Sequence, residues 1–260
     1  MNKTILYAAP KTCWLLLLVT FSQLLPVTSM GQKKKDRFFA EVSLGANIPA
    51  GRFADKGFTD AFKEEEQNGM AKTGIAANVT LGYTIRKKLN LLLTLIQTHN
   101  RQDNQSLKTF WTRPTGIATG ANVENDNWNI FSVMAGGEFT LSVKGLSQLT
   151  IFTRLTAGYC KTTAPGYSGN AYLADGSPIS GFRVEKFPLD WTFCYRAGAG
   201  IRYHLRKKYY LVVDAAYFDS APEKEITFNP NGILQGPFVT LNREYELNSV
   251  QVVAGMGIRF

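Results

Sequence analysis

The chain has 260 residues, 45% of them hydrophobic, and it carries a formal net charge of +9. None of its apolar runs is long enough to cross a bilayer as a helix, so the composition excludes a helical membrane protein and favours one domain. The basic excess permits either a nucleic-acid or an anionic membrane partner, and the compartment predicted below excludes nucleic acid.

The amino terminus predicts a secretory signal peptide over residues 1–31. Lys3 and Lys11 precede an apolar run over 13–25, which is too short for a membrane-spanning helix and leads into small and polar residues. We expect this segment to be cleaved during export. An exported protein meets no nucleic acid, so the positive charge predicts contact with anionic lipid instead.

Two cleavage positions fit the sequence, one after Gly31 and one after Ser29, because both residues are small. Residues 32–36 then form a short basic segment. The remaining residues, 37–260, form a single domain.

Apolar and polar residues alternate in eight segments of this domain, and each segment predicts a strand. In the first, Phe38, Val42 and Leu44 lie on one face, whereas Glu41 and Ser43 lie on the other. The third segment is more uniformly apolar, so its register is the least certain. The predicted strands span residues 37–48, 74–85, 89–98, 128–141, 149–159, 191–203, 209–217 and 247–260.

The connections between these strands alternate between short and long without exception. This alternation predicts an up-and-down meander with turns at one end and long loops at the other. The short connections are 86–88, 142–148 and 205–208, and the long ones are 49–73, 99–127, 161–190 and 218–246.

The final strand ends on an aromatic residue, with Val252, Met256, Ile258 and Phe260 on the apolar face and Arg259 on the other. This ending resembles the closing strand of small outer-membrane β-barrel proteins of Gram-negative bacteria, the OmpA/OmpX-like or porin-like group. In that family the barrel-assembly machinery reads the terminal aromatic residue as a signal. The resemblance spans residues 37–260 and assigns that role to Phe260.

The resemblance implies an all-β fold: an eight-stranded antiparallel up-and-down transmembrane β-barrel in the outer membrane. Short turns and both termini would lie in the periplasm, and four long loops would lie outside the cell. The alternative is a soluble barrel of the lipocalin type, whose apolar face would point inward. Aromatic residues at the strand ends of the apolar face favour the membrane barrel. They are Phe38, Tyr83, Tyr159, Trp191, Tyr203, Tyr209, Tyr217 and Phe260.

Charged residues occur in the middle of strands, on the face predicted to line the lumen. With the turns centred near Gly145 and Arg206, Glu138 falls diagonal to Arg154 and Asp214 diagonal to Arg196. Four arginines against three acids predict additional water or an acceptor such as Gln251 or Asn78. The predicted lumen charge network comprises Glu41, Glu138, Arg154, Arg196, Arg202, Asp214 and Arg259.

Two interpretations of these charges remain open. Eight strands leave an interior just wide enough for side chains to fill, which favours a salt-bridged plug. A narrow path for ions or small solutes through the same charges is the alternative. The favoured function is therefore a non-enzymatic barrel with a structural or surface-interaction role, followed by a porin-like channel. A lipid-modifying enzyme or a barrel subunit of a secretion machine comes third.

Residues for catalysis are scarce, because the chain contains only His99 and His204. His99 has the parity of the lipid face, where outer-membrane lipid hydrolases carry a histidine, but nothing nearby in sequence completes a catalytic group. No metal-ligand spacing or phosphate loop is found, and we expect no cofactor. Cys160 and Cys194 have inward parity near the ends of neighbouring strands, which leaves a disulfide between them open.

Basic residues concentrate in the short turns and beside the amino terminus. They predict contacts with phospholipid headgroups, although an acidic periplasmic partner remains an alternative. The expected partners are outer-membrane lipids, lipopolysaccharide and the barrel-assembly machinery, with a protein partner possible at the external loop segments 58–66, 111–114 and 228–232. The basic residues are Lys33, Lys34, Lys35, Arg37, Arg86, Lys87, Lys88, Lys144, Arg206, Lys207 and Lys208.

Overall fold

A computed structural model of the chain describes residues 37–56, 66–112, 120–228 and 239–260. The predicted signal peptide and basic segment lie outside these residues, as do most of the loop segments 58–66 and 228–232. Neither of the two helices in the described part of the chain is long and apolar enough to cross a membrane.

Strands dominate the described residues. Fifteen are present: β1 (Phe38–Pro49), β2 (Glu66–Gln67), β3 (Gly74–Arg86), β4 (Leu89–Arg101), β5 (Gly120–Asn125), β6 (Asn127–Ser142), β7 (Leu149–Ala164), β8 (Tyr167–Tyr172), β9 (Pro178–Val184), β10 (Phe187–Pro188), β11 (Thr192–His204), β12 (Tyr209–Ser220), β13 (Glu223–Phe228), β14 (Val239–Tyr245) and β15 (Ser249–Arg259). The helices are α1 (Gly51–Ala54) and α2 (Asn104–Thr112).

Eight of the described strands pair antiparallel and close on themselves in the order β1, β3, β4, β6, β7, β11, β12, β15. The last strand returns to the first, so that Phe39 lies opposite Arg259 and Pro49 opposite Ser249. The predicted eight-stranded up-and-down barrel is confirmed. Closure removes the edges that an open sheet would present in lipid, where unpaired backbone groups are costly.

The outer face of this barrel is apolar. Leu155 is 63% exposed, and Val42 and Leu44 are each 61% exposed. A band of exposed apolar side chains runs over every barrel strand. Contact with lipid favours such a surface, whereas contact with water would disfavour it. The soluble alternative is therefore wrong: the apolar face points outward, and the protein is a transmembrane β-barrel.

Aromatic side chains inside the barrel take the place that glycines leave free. A Cβ added at Gly82 would lie 2.0 Å from the ring of Phe39, and one at Gly257 would lie 2.2 Å from the ring of Tyr210. These glycines therefore leave room for two buried rings, each of which lies against a glycine of the neighbouring strand. The rings fill the interior near the turn end.

The register differs from the sequence-based expectation by two positions at two turns. Glu138 lies directly opposite Arg154, not diagonal to it. Asp214 lies opposite Gly200, and Arg196 lies opposite Phe218. Each turn is centred one residue later than expected. A one-residue difference in turn centre moves every cross-strand pair by two positions, so the predicted faces are still correct.

The long connections contain further strands that alternation did not reveal. Strands β5, β8 and β9 form one three-stranded sheet, and β13, β14 and β2 form another. A small apolar cluster formed by Met70, Leu107 and Val123 joins α2 to β5. The loop end of the barrel thus carries ordered secondary structure rather than simple loops in its described parts.

Candidate functional site in the barrel interior

Six charged side chains meet at mid-depth in the interior, and none of them is more than 7% exposed. We call this group the charge layer. Alternation along each strand points all six inward, and the closed barrel brings strands together that are far apart in sequence. The charge layer consists of Glu41, Glu138, Asp214, Arg154, Arg196 and Arg202.

Arg154 connects the three acids. Its Nε donates to Glu138 Oε2 at 2.6 Å, and its Nη1 donates to Asp214 Oδ2 at 3.2 Å. Its Nη2 donates to Glu41 Oε2. One guanidinium on β7 is thereby bonded to carboxylates on β6, β12 and β1, so that strands on opposite sides of the barrel are tied together.

Arg202 forms the most complete ion pair of the charge layer. Its Nη1 and Nη2 donate to the two oxygens of Glu138 at 2.7 Å and 2.6 Å, and its Nε donates to Glu41 Oε1 at 2.7 Å. The guanidinium also lies 4.5 Å from the ring centroid of Phe152 and 4.9 Å from that of Phe39. The guanidinium of Arg202 thus has carboxylate acceptors for all three of its nitrogens and aromatic rings beside it.

Arg196 extends the charge layer towards the loop end. Its Nη2 donates to Asp214 Oδ2 at 2.7 Å, and its Nε donates to Gln251 Oε1 at 3.2 Å. Gln251 is thus an additional acceptor, as expected from the surplus of arginine. Asn78, the other candidate acceptor, has an Oδ1 without a hydrogen-bond partner among the described residues.

Arg259 does not join the charge layer, contrary to the sequence-based expectation. Its guanidinium lies 5.9 Å from the ring centroid of Tyr210, and within the described residues it forms no ion pair with the three acids. Tyr210 fills the intervening space and donates its hydroxyl to Glu41 Oε1 at 2.9 Å. The charge layer is therefore balanced, with three acids and three arginines.

An apolar cluster occupies the interior above the charge layer, at the loop end. Trp128 anchors it: its Nε1 donates to the carbonyl of Gly69 at 2.9 Å, and its ring meets Phe53 at 5.6 Å and Tyr245 at 5.8 Å between centroids. We call it the loop-end cluster. Its buried members are Phe53, Ala71, Ile96, Trp128, Ile130, Met134, Cys160, Ala164, Leu189, Cys194, Phe218, Tyr245 and Leu247.

Sequence reasoning missed the loop-end cluster, although a signal for it was present. Ile130, Met134 and Phe218 have inward parity on strands whose other inward residues are mostly polar. Three apolar residues with inward parity, two of them near the loop ends of strands and Met134 at the middle of β6, indicate an apolar layer inside the barrel. Phe53 could not be placed, because it comes from the short helix α1 and not from a barrel strand.

The two cysteines in the described residues are free and buried in the loop-end cluster. Cys160 lies opposite Thr192, and Cys194 lies opposite Gly158, so the two are offset and not directly paired. Cys160 Sγ lies 3.1 Å from Ser220 Oγ. The disulfide that the sequence left open is not formed.

The two histidines occupy opposite faces of the barrel. His99 faces outward, as its parity predicts, and hydrogen bonds to Asn129 Oδ1. His204 faces inward at the turn end and hydrogen bonds to Thr150 Oγ1 at 3.2 Å. Within the described residues neither histidine contacts a carboxylate, and no three His, Cys, Asp or Glu side chains converge as metal ligands.

Phe260 secures the junction of the first and last strands. Its backbone N–H donates to the carbonyl of Phe38 at 2.9 Å, and its carbonyl accepts from the N–H of Phe38 at 3.1 Å. The two rings stack at 6.3 Å, and Phe38 also contacts Tyr83 at 4.9 Å between centroids. An aromatic group thus marks the turn end of the barrel exterior, as an interfacial girdle does.

Asp103 joins three segments above the barrel. It precedes α2 and accepts from the backbone N–H of Gln105 at 3.1 Å, which caps the helix. Lys72 Nζ lies 3.0 Å from one carboxylate oxygen and Lys56 Nζ lies 3.1 Å from the other. Burial alone would raise the pKa of Asp103, but the hydrogen bonds from Lys72, Lys56 and Gln105 outweigh it and lower that pKa.

No protein-family model and no curated protein matches the chain. Solved structures do: Neisserial surface protein A shares 11% identity over 86% of this chain and 97% of its own, with a TM-score of 0.43. The outer membrane protein OprG of Pseudomonas aeruginosa shares 12% identity over 87% and 97%, with a TM-score of 0.48. Ail, the attachment invasion locus protein of Yersinia pestis, shares 14% identity over 86% and 99%, with a TM-score of 0.38. The fold assignment itself rests on the strand pairing above.

Proposed function

We propose that the protein is a non-enzymatic barrel of the outer membrane that acts through its structure or its external surface, with a lumen closed by paired charges. Both termini and the short turns lie in the periplasm, and the four long connections lie outside the cell. The barrel-assembly machinery inserts it by reading Phe260. Its lipid partners are phospholipids at the turn end and lipopolysaccharide at the loop end.

The observation that carries this proposal is the filling of the interior by two layers in series. Arg196 and Arg202 are 2% and 0% exposed within the charge layer, and Trp128 and Phe218 are each 2% exposed in the loop-end cluster above it. An ion crossing the barrel would have to separate the carboxylate–guanidinium pairs and then cross an apolar layer. Both steps carry a large desolvation cost.

The loop end supports a role in surface interactions. Two three-stranded sheets rise from the long connections, and the capped helix α2 packs through Leu107 against Val123 of β5. Asp103 connects the start of α2 to the segments that carry Lys56 and Lys72. A braced outer surface presents side chains in fixed positions, which is what recognition of a partner requires.

The distribution of connections and charge supports the proposed orientation. The turns at one end are short, and they carry the basic residues Arg86, Lys87, Lys88, Lys144, Arg206, Lys207 and Lys208. Short periplasmic turns and long external loops are typical of outer-membrane barrels. Basic residues at the inner end would meet the phosphates of the inner leaflet.

Conductance of the refolded protein in a planar lipid bilayer tests the closed lumen directly. We expect no steady single-channel current from the wild-type protein, while a known porin recorded in the same bilayers provides the positive control. Steady current from the wild-type protein, with an ion selectivity that changes in Arg196→Ala at unchanged stability, would refute the proposal. Such a result would identify the protein as a narrow channel.

A further inference from the structure

The mouth of the barrel at the turn end is a cavity of about 460 Å³, and none of the six charge-layer residues lines it. We call it the turn-end vestibule. Residues from three turns and the last strand converge on it. Those that the argument uses are Arg259, Arg206, Lys207, Lys87, Thr150 and His204.

The vestibule is strongly cationic. Its lining includes four cationic side chains, those of Lys87, Arg206, Lys207 and Arg259, and no carboxylate among the described residues. The charge layer above it contributes little net field, because three acids balance three arginines there. Positive charge in a concave site with low-dielectric walls attracts anions more strongly than the same charge on an open surface.

Arg259 is the cationic residue of the vestibule whose position is fixed by contacts inside the barrel. Its Nε is buried and has no hydrogen-bond partner among the described residues. Its guanidinium lies beside the ring of Tyr210, and its residue lines the cavity. The guanidinium therefore has no acceptor among the described residues, and an anion in the vestibule that reaches its terminal nitrogens would supply one.

Hydroxyl groups on the opposite wall complete the arrangement. Thr140, Ser142, Ser147 and Thr150 all line the cavity, and Thr150 is already oriented by its hydrogen bond to His204. A guanidinium that offers two parallel donors, together with several hydroxyl donors, suits an anion with more than two acceptor oxygens. A phosphate group has that geometry, and the cavity accommodates it.

We propose that the turn-end vestibule binds a phosphate group, with Arg259 as its principal ligand and Arg206, Lys207 and Lys87 as the surrounding positive charge. Two sources carry this chemistry: a free phosphate or phosphate ester, and the headgroup of an anionic phospholipid from the adjacent leaflet. The binding group is the same in both cases.

The test measures binding of inorganic phosphate to the full barrel refolded in zwitterionic detergent, by isothermal titration calorimetry at constant ionic strength with chloride as the competing salt. Arg259→Gln is expected to weaken binding about tenfold or more, the usual effect of losing a charge-assisted hydrogen bond. Lys208→Gln changes net charge equally on a residue that does not line the cavity. It is expected to change the affinity less than twofold.

Two results would overturn the proposal. The first is an affinity for phosphate no greater than for chloride in the wild-type protein. The second is an equal loss of affinity in Arg259→Gln and Lys208→Gln, which would indicate a general surface charge effect. If Arg259→Gln does not refold, the double variant Arg206→Gln/Lys207→Gln takes its place, because both residues lie in an exposed turn and line the cavity.

A second arm identifies the source of the phosphate group. The same titration is run in nanodiscs of phosphatidylcholine alone and of phosphatidylcholine with phosphatidylglycerol. A headgroup that enters the vestibule competes with inorganic phosphate, so the apparent affinity falls in the anionic nanodiscs and the fall is absent in Arg259→Gln. Unchanged affinity in the two nanodiscs identifies the free anion as the ligand. Either result supports a phosphate site.

Discussion

Arg202 and Glu138 form a two-bond pair across the barrel interior, with Nη1 2.7 Å from Oε1 and Nη2 2.6 Å from Oε2. Neither residue is more than 1% exposed. They lie on β11 and β6, which are separated in the sheet by β7, so the pair joins two strands that share no ladder. This contact makes the charge layer a set of cross-braces between non-adjacent strands.

Removal of one partner from the charge layer should lower stability by several kcal/mol. Arg196→Ala leaves Asp214 with Arg154 alone, and we expect a loss of about 3 kcal/mol, because an acid loses half of its compensation in a dry interior. Arg202→Ala leaves Glu138 and Glu41 with Arg154 as their shared cation, and it should cost about 5 kcal/mol because two buried acids each lose a partner. Urea unfolding followed by tryptophan fluorescence measures both.

A matched control for these variants is Arg206→Ala, which removes the same side chain from an exposed turn. Its unfolding midpoint should stay close to that of the wild-type protein, because exposed charges contribute little. If Arg196→Ala and Arg206→Ala unfold at the same urea concentration, water already screens the interior charges and the closed lumen is wrong.

Cysteine labelling in whole cells tests the orientation. The background is low, because Cys160 and Cys194 are buried. Asp175 lies in an exposed turn between β8 and β9, and Lys87 lies in the short turn between β3 and β4. An impermeant maleimide should label Asp175→Cys in intact cells and Lys87→Cys only after the outer membrane is opened. Labelling of Lys87→Cys in intact cells would reverse the assigned orientation.

Different variants distinguish the proposed signal role of Phe260 from its part in closing the barrel. Phe260→Ala keeps the two backbone hydrogen bonds to Phe38 and removes the ring, whereas deletion of Phe260 removes both. If the ring is the assembly signal, both variants should lower the folded, heat-modifiable amount in the outer membrane by several-fold. Phe139→Ala, another exposed aromatic truncation on the lipid face, serves as the control.

Refolding in detergent separates a signal role of the Phe260 ring from a role in barrel closure. Refolding of purified Phe260→Ala into detergent should proceed as for the wild-type protein, because the strand pairing of β1 with β15 is intact. A normal level of folded Phe260→Ala in the membrane would show that the ring is not a signal. Loss of refolding in detergent would show that it acts through barrel closure instead.

Asp103→Asn should loosen the outer structure without affecting the barrel. The variant keeps an N-cap acceptor but loses both lysine pairs, and we expect a loss of about 1 kcal/mol in the local stability of α2. Faster amide hydrogen exchange across α2 measures it. Asp175→Asn is the matched control, because Asp175 bonds only within its own turn in the described contacts, to Ser177.

The same contact predicts a pH dependence. Because the folded-state pKa of Asp103 is lowered, its stabilisation is fully present above the ordinary aspartate pKa and is lost as the pH falls through the depressed value. Hydrogen exchange of α2 should therefore accelerate in acid in the wild-type protein and much less in Asp103→Asn. An equal acceleration in both proteins would assign the effect to another group.

Alternation along the chain was sufficient to predict the barrel. Val42 and Leu44 on one face of β1, and Glu41 on the other, identify a strand with lipid on one side and a polar interior on the other. A strand has a period of two residues, so the face of each residue follows from its position alone. The alternation of short and long connections then predicts an up-and-down order, in which each strand pairs with the next one along the chain.

The offset between strands could not be derived in the same way. The opposition of Glu138 and Arg154 depends on where the β6–β7 turn is centred, and the positive φ of Gly145 is one part of that turn's geometry. Several centres satisfy the same sequence pattern. The choice among them depends on the packing of all eight strands together.

The sequence by itself determined the eight barrel strands, their faces and the inward position of all seven predicted charges, because these properties follow from local periodicity. Only the tertiary structure decided which charges meet: Arg202 reaches past β7 to Glu138, while Tyr210 separates Arg259 from Glu41. Closing the barrel creates contacts between strands that are distant in the chain, and pattern along one strand holds no information about them. The interior is therefore specified by packing, whereas the exterior is specified by alternation.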